Sequence, residues 1–133
     1  MKFLPASMTL HLPGAVALIE RLKEPTLRLA LCFCAAWCDA CKAYKPKLEM
    51  LASQHPDICF VWIDIEDYPD LLGDEDVENF PTIGIVEGGV VRFMGTLLPH
   101  IEHLERLLEA MHAPGKAQAC DLPDDLLRLL THA

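Results

Sequence analysis

The sequence predicts an α/β domain of three layers, with a central mixed sheet between helices. Three observations predict it. Leu27–Ala35 and Ile58–Ile65 are apolar runs of strand length, continuous rather than alternating, as parallel strands buried on both faces are. Residues 39–54 between them place apolar side chains at helical spacing, so the three segments read as a parallel βαβ half. Downstream, Gly88-Gly89 separates two short β-rich runs, a hairpin signal, and a closing amphipathic helix follows.

Each element has its local reason. Met8–Leu12 reads as a short strand or extended lead-in that Pro13-Gly14 breaks. Ala15–Glu24 alternates Val16, Leu18, Ile19 and Leu22 with Glu20, Arg21 and Lys23 at helical spacing, and Pro25 ends it. In the helix from Asp39 to about Gln54, Tyr44, Leu48, Leu51 and Ala52 form the dry face. Lys42, Lys45, Lys47 and Glu49 form the wet one, and Pro46 removes one backbone donor and should kink it. Asp67–Asn79 is acidic and holds Pro69 and Gly73, which suggests a short helix with loops. Ile83–Val86 and Val90–Met94 are the hairpin strands. Pro99 opens a helix to about Met111 with Ile101, Leu104, Leu107, Leu108 and Met111 as its apolar stripe. After Ala113-Pro114-Gly115, residues 121–130 read as one more short amphipathic helix that Asp121 could cap, with Asp124 and Asp125 at its positive end. The expected organisation is a domain over residues 1–112 and a tail over 113–133 whose helix docks on it.

Composition excludes several function classes. A chain of 133 residues that is 52% hydrophobic has the material for one packed core. Twenty acidic against eleven basic residues give a net charge of −9, the wrong sign for a nucleic-acid surface. No stretch approaches the roughly 20 apolar residues of a membrane span. Pro5, His11 and Pro13 interrupt any signal-peptide core, so the expected location is cytoplasmic, with a periplasmic or lipoprotein form as the alternative. The acidic run from Asp64 to Asp76 lacks the spacing of a calcium loop and reads as solvated surface.

Six cysteines carry the chemistry: Cys32, Cys34, Cys38, Cys41, Cys59 and Cys120. Cys32, Cys34 and Cys59 fall inside apolar runs, where a free thiol packs as a small hydrophobe. Cys32 and Cys34 stand two apart on a strand and so face one side; a second redox pair is the sharper reading and core packing the blander one. Cys120 in the tail reads as an ordinary free thiol. Cys38 and Cys41 differ in setting. They follow Trp37 in Ala36-Trp37-Cys38-Asp39-Ala40-Cys41-Lys42, where a strand passes into a helix. A helix N-terminus offers unpaired N–H groups and a positive dipole end to a thiolate, and two intervening residues let one turn bring two sulfurs within bonding reach. A structural zinc site needs four ligands, and the histidines at 11, 55, 100, 103, 112 and 132 supply no second paired spacing near these cysteines. No metal is expected.

This order of elements resembles the thioredoxin family, as do four features within it. They are the Trp37-Cys38-Asp39-Ala40-Cys41 motif, Pro46 five residues beyond it, Phe80-Pro81-Thr82, and Gly95 after the hairpin. The likeness covers roughly Ala15 to Met111. It implies a thioredoxin-like fold and a protein disulfide reductase. Cys38 would be the attacking nucleophile and Cys41 the resolving cysteine. Pro81 would be a cis-proline facing the dithiol, with Trp37, Phe80 and Gly95 along the substrate groove. It implies no prosthetic cofactor. Its partners would be protein disulfides and an external reductase or dithiol donor, and the chain would be a monomer or weak dimer.

Two departures from the family pattern bear on reactivity. Asp39-Ala40 replaces Gly-Pro between the cysteines, and a carboxylate there should raise the Cys38 pKa, unless Asp39 serves only to match the helix dipole. The family's buried aspartate falls at Cys32, and its partner lysine aligns with Trp62. The alternatives to a general reductase are therefore a non-catalytic partner-binding module and a reductase dedicated to one partner.

Overall fold

The computed structural model describes residues 10–75, 77, 79–111, 117, 118, 120 and 122–132. Five strands form one sheet in the order β1-β3-β2-β4-β5. They are β1 (Leu10–His11), β2 (Arg28–Cys34), β3 (Ile58–Asp64), β4 (Thr82–Glu87) and β5 (Val90–Thr96). The helices are α1 (Val16–Arg21), α2 (Asp39–Gln54), α3 (Ile101–Ala110) and α4 (Leu126–His132), with a 3₁₀ turn at Pro69–Leu71. β1, β3 and β2 run parallel, and β4 and β5 are antiparallel to their neighbours, so the sheet is mixed. Gly88 and Gly89 make the hairpin at φ +57° and +81°, a left-handed turn that residues with a Cβ rarely adopt.

The two apolar strands bury both faces, and alternate residues serve different layers. Ala30, Cys32 and Cys34 of β2 join Phe60, Ile83 and Ile85 under α2 and α3, against Tyr44, Leu48, Leu104 and Leu108. Leu29, Leu31 and Phe33 join Cys59, Val61 and Ile63 on the opposite face, under Leu18 of α1 and Leu122, Leu126 and Leu130 of the C-terminal segment. The tail is tied to the sheet by its backbone as well: Gly14 N–H donates to the Leu130 carbonyl at 2.9 Å, and Gln118 N–H to the Val91 carbonyl at 2.9 Å.

α2 has the bounds that its periodicity predicts and continues on both sides of Pro46, which sits on its exposed face. Other bounds differ from the sequence reading. α1 is shorter at both ends. β5 extends through Gly95 to Thr96, because Thr82 and Ile83 supply partners that far. The acidic segment keeps only the 3₁₀ turn. α3 begins at Ile101, after an extended His100 at its N-cap. α4 begins at Leu126, so Asp124 and Asp125 precede it rather than occupy its first turn. The proposed cap Asp121, as well as Met8 and Thr9 of the lead-in, Asp76 and His112, lies outside the described residues. No helix among the described residues is long and apolar enough to cross a membrane.

At the far end of α3 a polar network fixes the helix to the sheet. Arg28 donates to the carbonyls of Leu108 (3.4 Å) and Met111 (3.3 Å), and Arg92 to that of Met111 (3.2 Å). Glu87 pairs with both guanidiniums, at 3.4 and 3.1 Å. Cations at a helix C-terminus meet carbonyls that have no partner within the helix.

Candidate active site

Cys38 is the N-cap of α2, in extended conformation (φ −84°, ψ 112°). Its Sγ accepts the Cys41 N–H at 3.3 Å, its carbonyl accepts the Lys42 N–H at 3.1 Å, and its own N–H donates to the Ala35 carbonyl at 3.0 Å. The β2–α2 junction thereby holds one sulfur at the surface and the other inside: Cys38 is half-buried, whereas Cys41 is 1% exposed.

The electrostatics of Cys38 differ from expectation. Its pKa lies above that of an ordinary thiol, chiefly because burial disfavours the thiolate and next because of the bond with the Cys41 thiol. The N–H groups of Cys41 and Ala40 at the helix start pull the other way, as anticipated, and are outweighed. Asp39 is not among the causes. Its side chain is 98% exposed and lies 3.8 Å from Lys42 Nζ, so water and that ammonium screen it.

The residues expected to line a substrate groove come from three elements. The exposed Trp37 ring meets Phe80 edge-on at 5.6 Å between centroids, and the Phe80–Pro81 peptide is cis. Thr82 Oγ1 donates to the Asn79 carbonyl at 2.7 Å and lies 3.2 Å from the Thr96 hydroxyl. Leu97 N–H donates to the Pro81 carbonyl at 3.1 Å, which fastens the proline to the end of β5. Gly95 sits opposite Ile83, and a Cβ there would stand 3.2 Å from the Phe93 ring, so glycine leaves room for that ring. Cys38, Phe80, Leu97 and Ile101 all pack against one buried apolar cluster.

Behind the dithiol the structure is specific to this sequence. Trp62 stands opposite Cys32 in the β2–β3 ladder, and Asp64 opposite Cys34. Lys45 reaches across from α2 with Nζ 5.4 Å above the Trp62 ring, a cation–π contact. A hollow of about 320 Å³ adjoins Cys41 and is lined in part by Lys45, Trp62 and Asp64. Asp64 Oδ1 accepts the Glu66 N–H at 2.9 Å. A carboxylate and an ammonium thus stand near Cys41, at positions the sequence reading assigned to solvated surface and wet helix face.

The thiol that most affects Cys41 from within is Cys34, not Cys32. All three lie in one buried cluster, and Cys32 Sγ is 3.6 Å from Cys34 Sγ. The hydrogen bond to Cys32 comes first, and burial contributes, in holding the Cys34 thiol far above its usual range. Cys41 is raised likewise, by the bond with Cys34 and then by burial. Tyr44, one turn beyond Cys41, is 1% exposed, and its hydroxyl has no hydrogen-bond partner among the described residues. No group of three or more His, Cys, Asp or Glu side chains among the described residues is placed to hold a metal ion.

A thioredoxin family model matches residues 18–107, which include the dithiol, Pro81 and Gly95. The chain belongs to the thioredoxin family. Thioredoxin H2 of Arabidopsis thaliana is 29% identical over 85 residues, 62% of this chain and 64% of that one. Mitochondrial thioredoxin of Mus musculus is 38% identical over 79 residues, 57% and 48% of the two chains. The thioredoxin of Mycoplasma genitalium is 34% identical over 72 residues, 54% and 71%. The match therefore spans less than two thirds of the Arabidopsis and mouse proteins. Among solved structures, Fasciola hepatica thioredoxin superimposes with a TM-score of 0.65 at 20% identity, over 75% of this chain and 97% of that one. Oxidised mitochondrial thioredoxin 3 of Saccharomyces cerevisiae gives 0.64 at 23%, over 80% and 99%. These likenesses establish the thioredoxin fold, and thioredoxin family members are protein disulfide oxidoreductases.

Proposed function

We propose that this chain reduces protein disulfides through a reversible Cys38–Cys41 dithiol/disulfide couple. The observation that carries the reading is the asymmetry of the pair at the α2 N-terminus. Cys38 reaches solvent with its Sγ on the Cys41 N–H at 3.3 Å, and Cys41 is enclosed. An exposed sulfur meets the substrate; an enclosed one reacts only with what is bonded to the first.

The Cys38 thiolate attacks one sulfur of a substrate disulfide. An S–S bond forms to Cys38, the substrate bond breaks, and the departing sulfur takes the electron pair and a proton. Cys41 then bonds to Cys38 and displaces the second substrate sulfur as thiolate. The proton of Cys41 leaves through the adjoining hollow, with the Asp64 carboxylate as its acceptor. The substrate chain lies over Trp37, Phe80, Pro81 and Gly95. An external reductase or dithiol donor resets the disulfide, and the cysteines carry the electrons without a prosthetic group. A reducing cytoplasm suits a chain whose six cysteines are all free thiols.

Insulin reduction tests the reading. The wild-type chain should be active and Cys38→Ser inactive; a wild type as slow as that variant would make the protein a partner-binding module. Cys41→Ser should hold substrates as mixed disulfides. One dominant captured protein would mark a dedicated reductase, many a general one.

A further inference from the structure

Four sulfurs line up from the surface to the core. Cys38 Sγ accepts the Cys41 N–H, Cys41 shares a buried cluster with Cys34, and Cys32 Sγ lies 3.6 Å from Cys34 Sγ. Cys32, Cys34 and Cys41 are each 1% exposed, so an outside disulfide does not reach them directly. In the same buried cluster stands Tyr44, whose hydroxyl has no hydrogen-bond partner among the described residues. A buried hydroxyl without a partner is the exception in a packed core.

We propose that Cys32 and Cys34 form a second, internal dithiol that exchanges with the Cys38–Cys41 disulfide, so that one fully reduced chain reduces two substrate disulfides. This rests on the reductase reading above. In the exchange, Cys34 Sγ bonds to Cys41 Sγ and the Cys38–Cys41 bond breaks. The electron pair leaves on Cys38, which takes the proton that Cys34 gives up. Cys32 then bonds to Cys34, the Cys34–Cys41 bond breaks, and Cys41 leaves with the electron pair and the proton of Cys32. The inner pair is oxidised, the outer pair is reduced, and no outside oxidant takes part. The outer dithiol then reduces a second substrate disulfide.

Geometry sets the order of the two couples. The sulfurs of Cys32 and Cys34 must close from 3.6 Å to a bond of about 2.05 Å. β2 is the central strand of the sheet, held by β3 and β4, and closure of an i,i+2 pair bends it locally. The inner disulfide is therefore the more readily reduced of the two, and it fills only after the outer one.

The test is an oxidation count on the full chain in a Cys120→Ser background, which removes the half-buried tail thiol. The reduced protein is titrated with increasing ratios of oxidised to reduced glutathione, quenched in acid, unfolded and alkylated. Cys32, Cys34, Cys38 and Cys41 all fall between Arg28 and Lys42, so one tryptic peptide reports them, with Cys59 as the internal control. Two successive losses of two thiols are expected, Cys38 with Cys41 first and Cys32 with Cys34 second, and Cys59 stays alkylated. In Cys34→Ala only the first loss should remain. The inference is overturned if Cys38 and Cys41 oxidise while Cys32 and Cys34 stay alkylated at every ratio, or if Cys32 is still lost in Cys34→Ala. If Cys38 and Cys41 themselves never pair, the reductase reading falls and this inference with it.

Discussion

The Sγ atoms of Cys32 and Cys34 lie 3.6 Å apart on the face of β2 that α2 covers, in the buried cluster that also holds Cys41. The position that the resemblance gives to a buried aspartate thus holds a thiol, with a second thiol two residues on. The properties of this site follow from that replacement and from the residues around it.

Cys38 is held above the ordinary thiol pKa of about 8.5, first by burial. Its thiolate fraction should rise roughly tenfold per pH unit across pH 7–8. Alkylation of Cys38 by iodoacetamide, followed by peptide mass spectrometry, should track that rise and still be climbing at pH 9. A rate already flat below pH 7 would contradict it.

Restoring the family's acid should not restore the family's site. Cys32 is 1% exposed and stands opposite Trp62, so an aspartate there would be a buried charge without a strand cation. Cys32→Asp should cost on the order of 3 kcal/mol at pH 7. Burial would raise the pKa of the new carboxyl in the folded state, so the folded chain binds its proton first. The deficit then shrinks as pH falls through that raised value. Urea unfolding at pH 7 and pH 5 measures both; an equal deficit at the two pH values would refute the assignment.

Tyr44→Phe removes a buried hydroxyl that has no partner among the described residues. Stability should be unchanged or higher by about 1 kcal/mol, since desolvation of an unpaired polar group is lost with it. A destabilisation of that size in the same urea assay would mean that the hydroxyl is bonded.

The hollow beside Cys41 predicts a role for Asp64. Asp64→Asn keeps the shape and the capacity to accept the Glu66 N–H and removes the charge. Decay of a preformed Cys38 mixed disulfide should slow by about a hundredfold, the lower end for loss of a general base. Formation of that mixed disulfide should keep its rate. Equal decay in the two proteins would exclude Asp64 as the acceptor.

His11 carries a pH dependence of its own. Burial first, and then the Arg21 charge, lower its pKa in the folded state. Below the unfolded value of about 6.5, the unfolded chain takes up a proton that folded His11 refuses. The contribution is therefore present in full above pH 6.5 and is lost as pH falls toward the folded value, by at most about 1.4 kcal/mol per unit. The melting temperature of the wild type should fall more than that of His11→Gln between pH 7 and pH 5.5.

Much of this protein was set by local sequence. The helix from Asp39 to Gln54, the two buried strands beside it and the Gly88-Gly89 turn follow from periodicity and from backbone freedom, which act over a few residues. The dithiol at the β2–α2 junction is legible for the same reason: strand end, cysteine pair and helix start are contiguous. Bounds that depend on a partner were less legible. β5 reaches Thr96 because β4 offers partners there, and α4 starts where its leucines meet Leu18 and Leu71. What stands behind Cys41 was decided by tertiary structure alone. The β2–β3 register sets Trp62 against Cys32 and Asp64 against Cys34, and α2 carries Tyr44 and Lys45 over them. Sheet register and helix docking are global minima of packing, not properties of any one segment. A chain of four thiols therefore appears only once the layers are assembled.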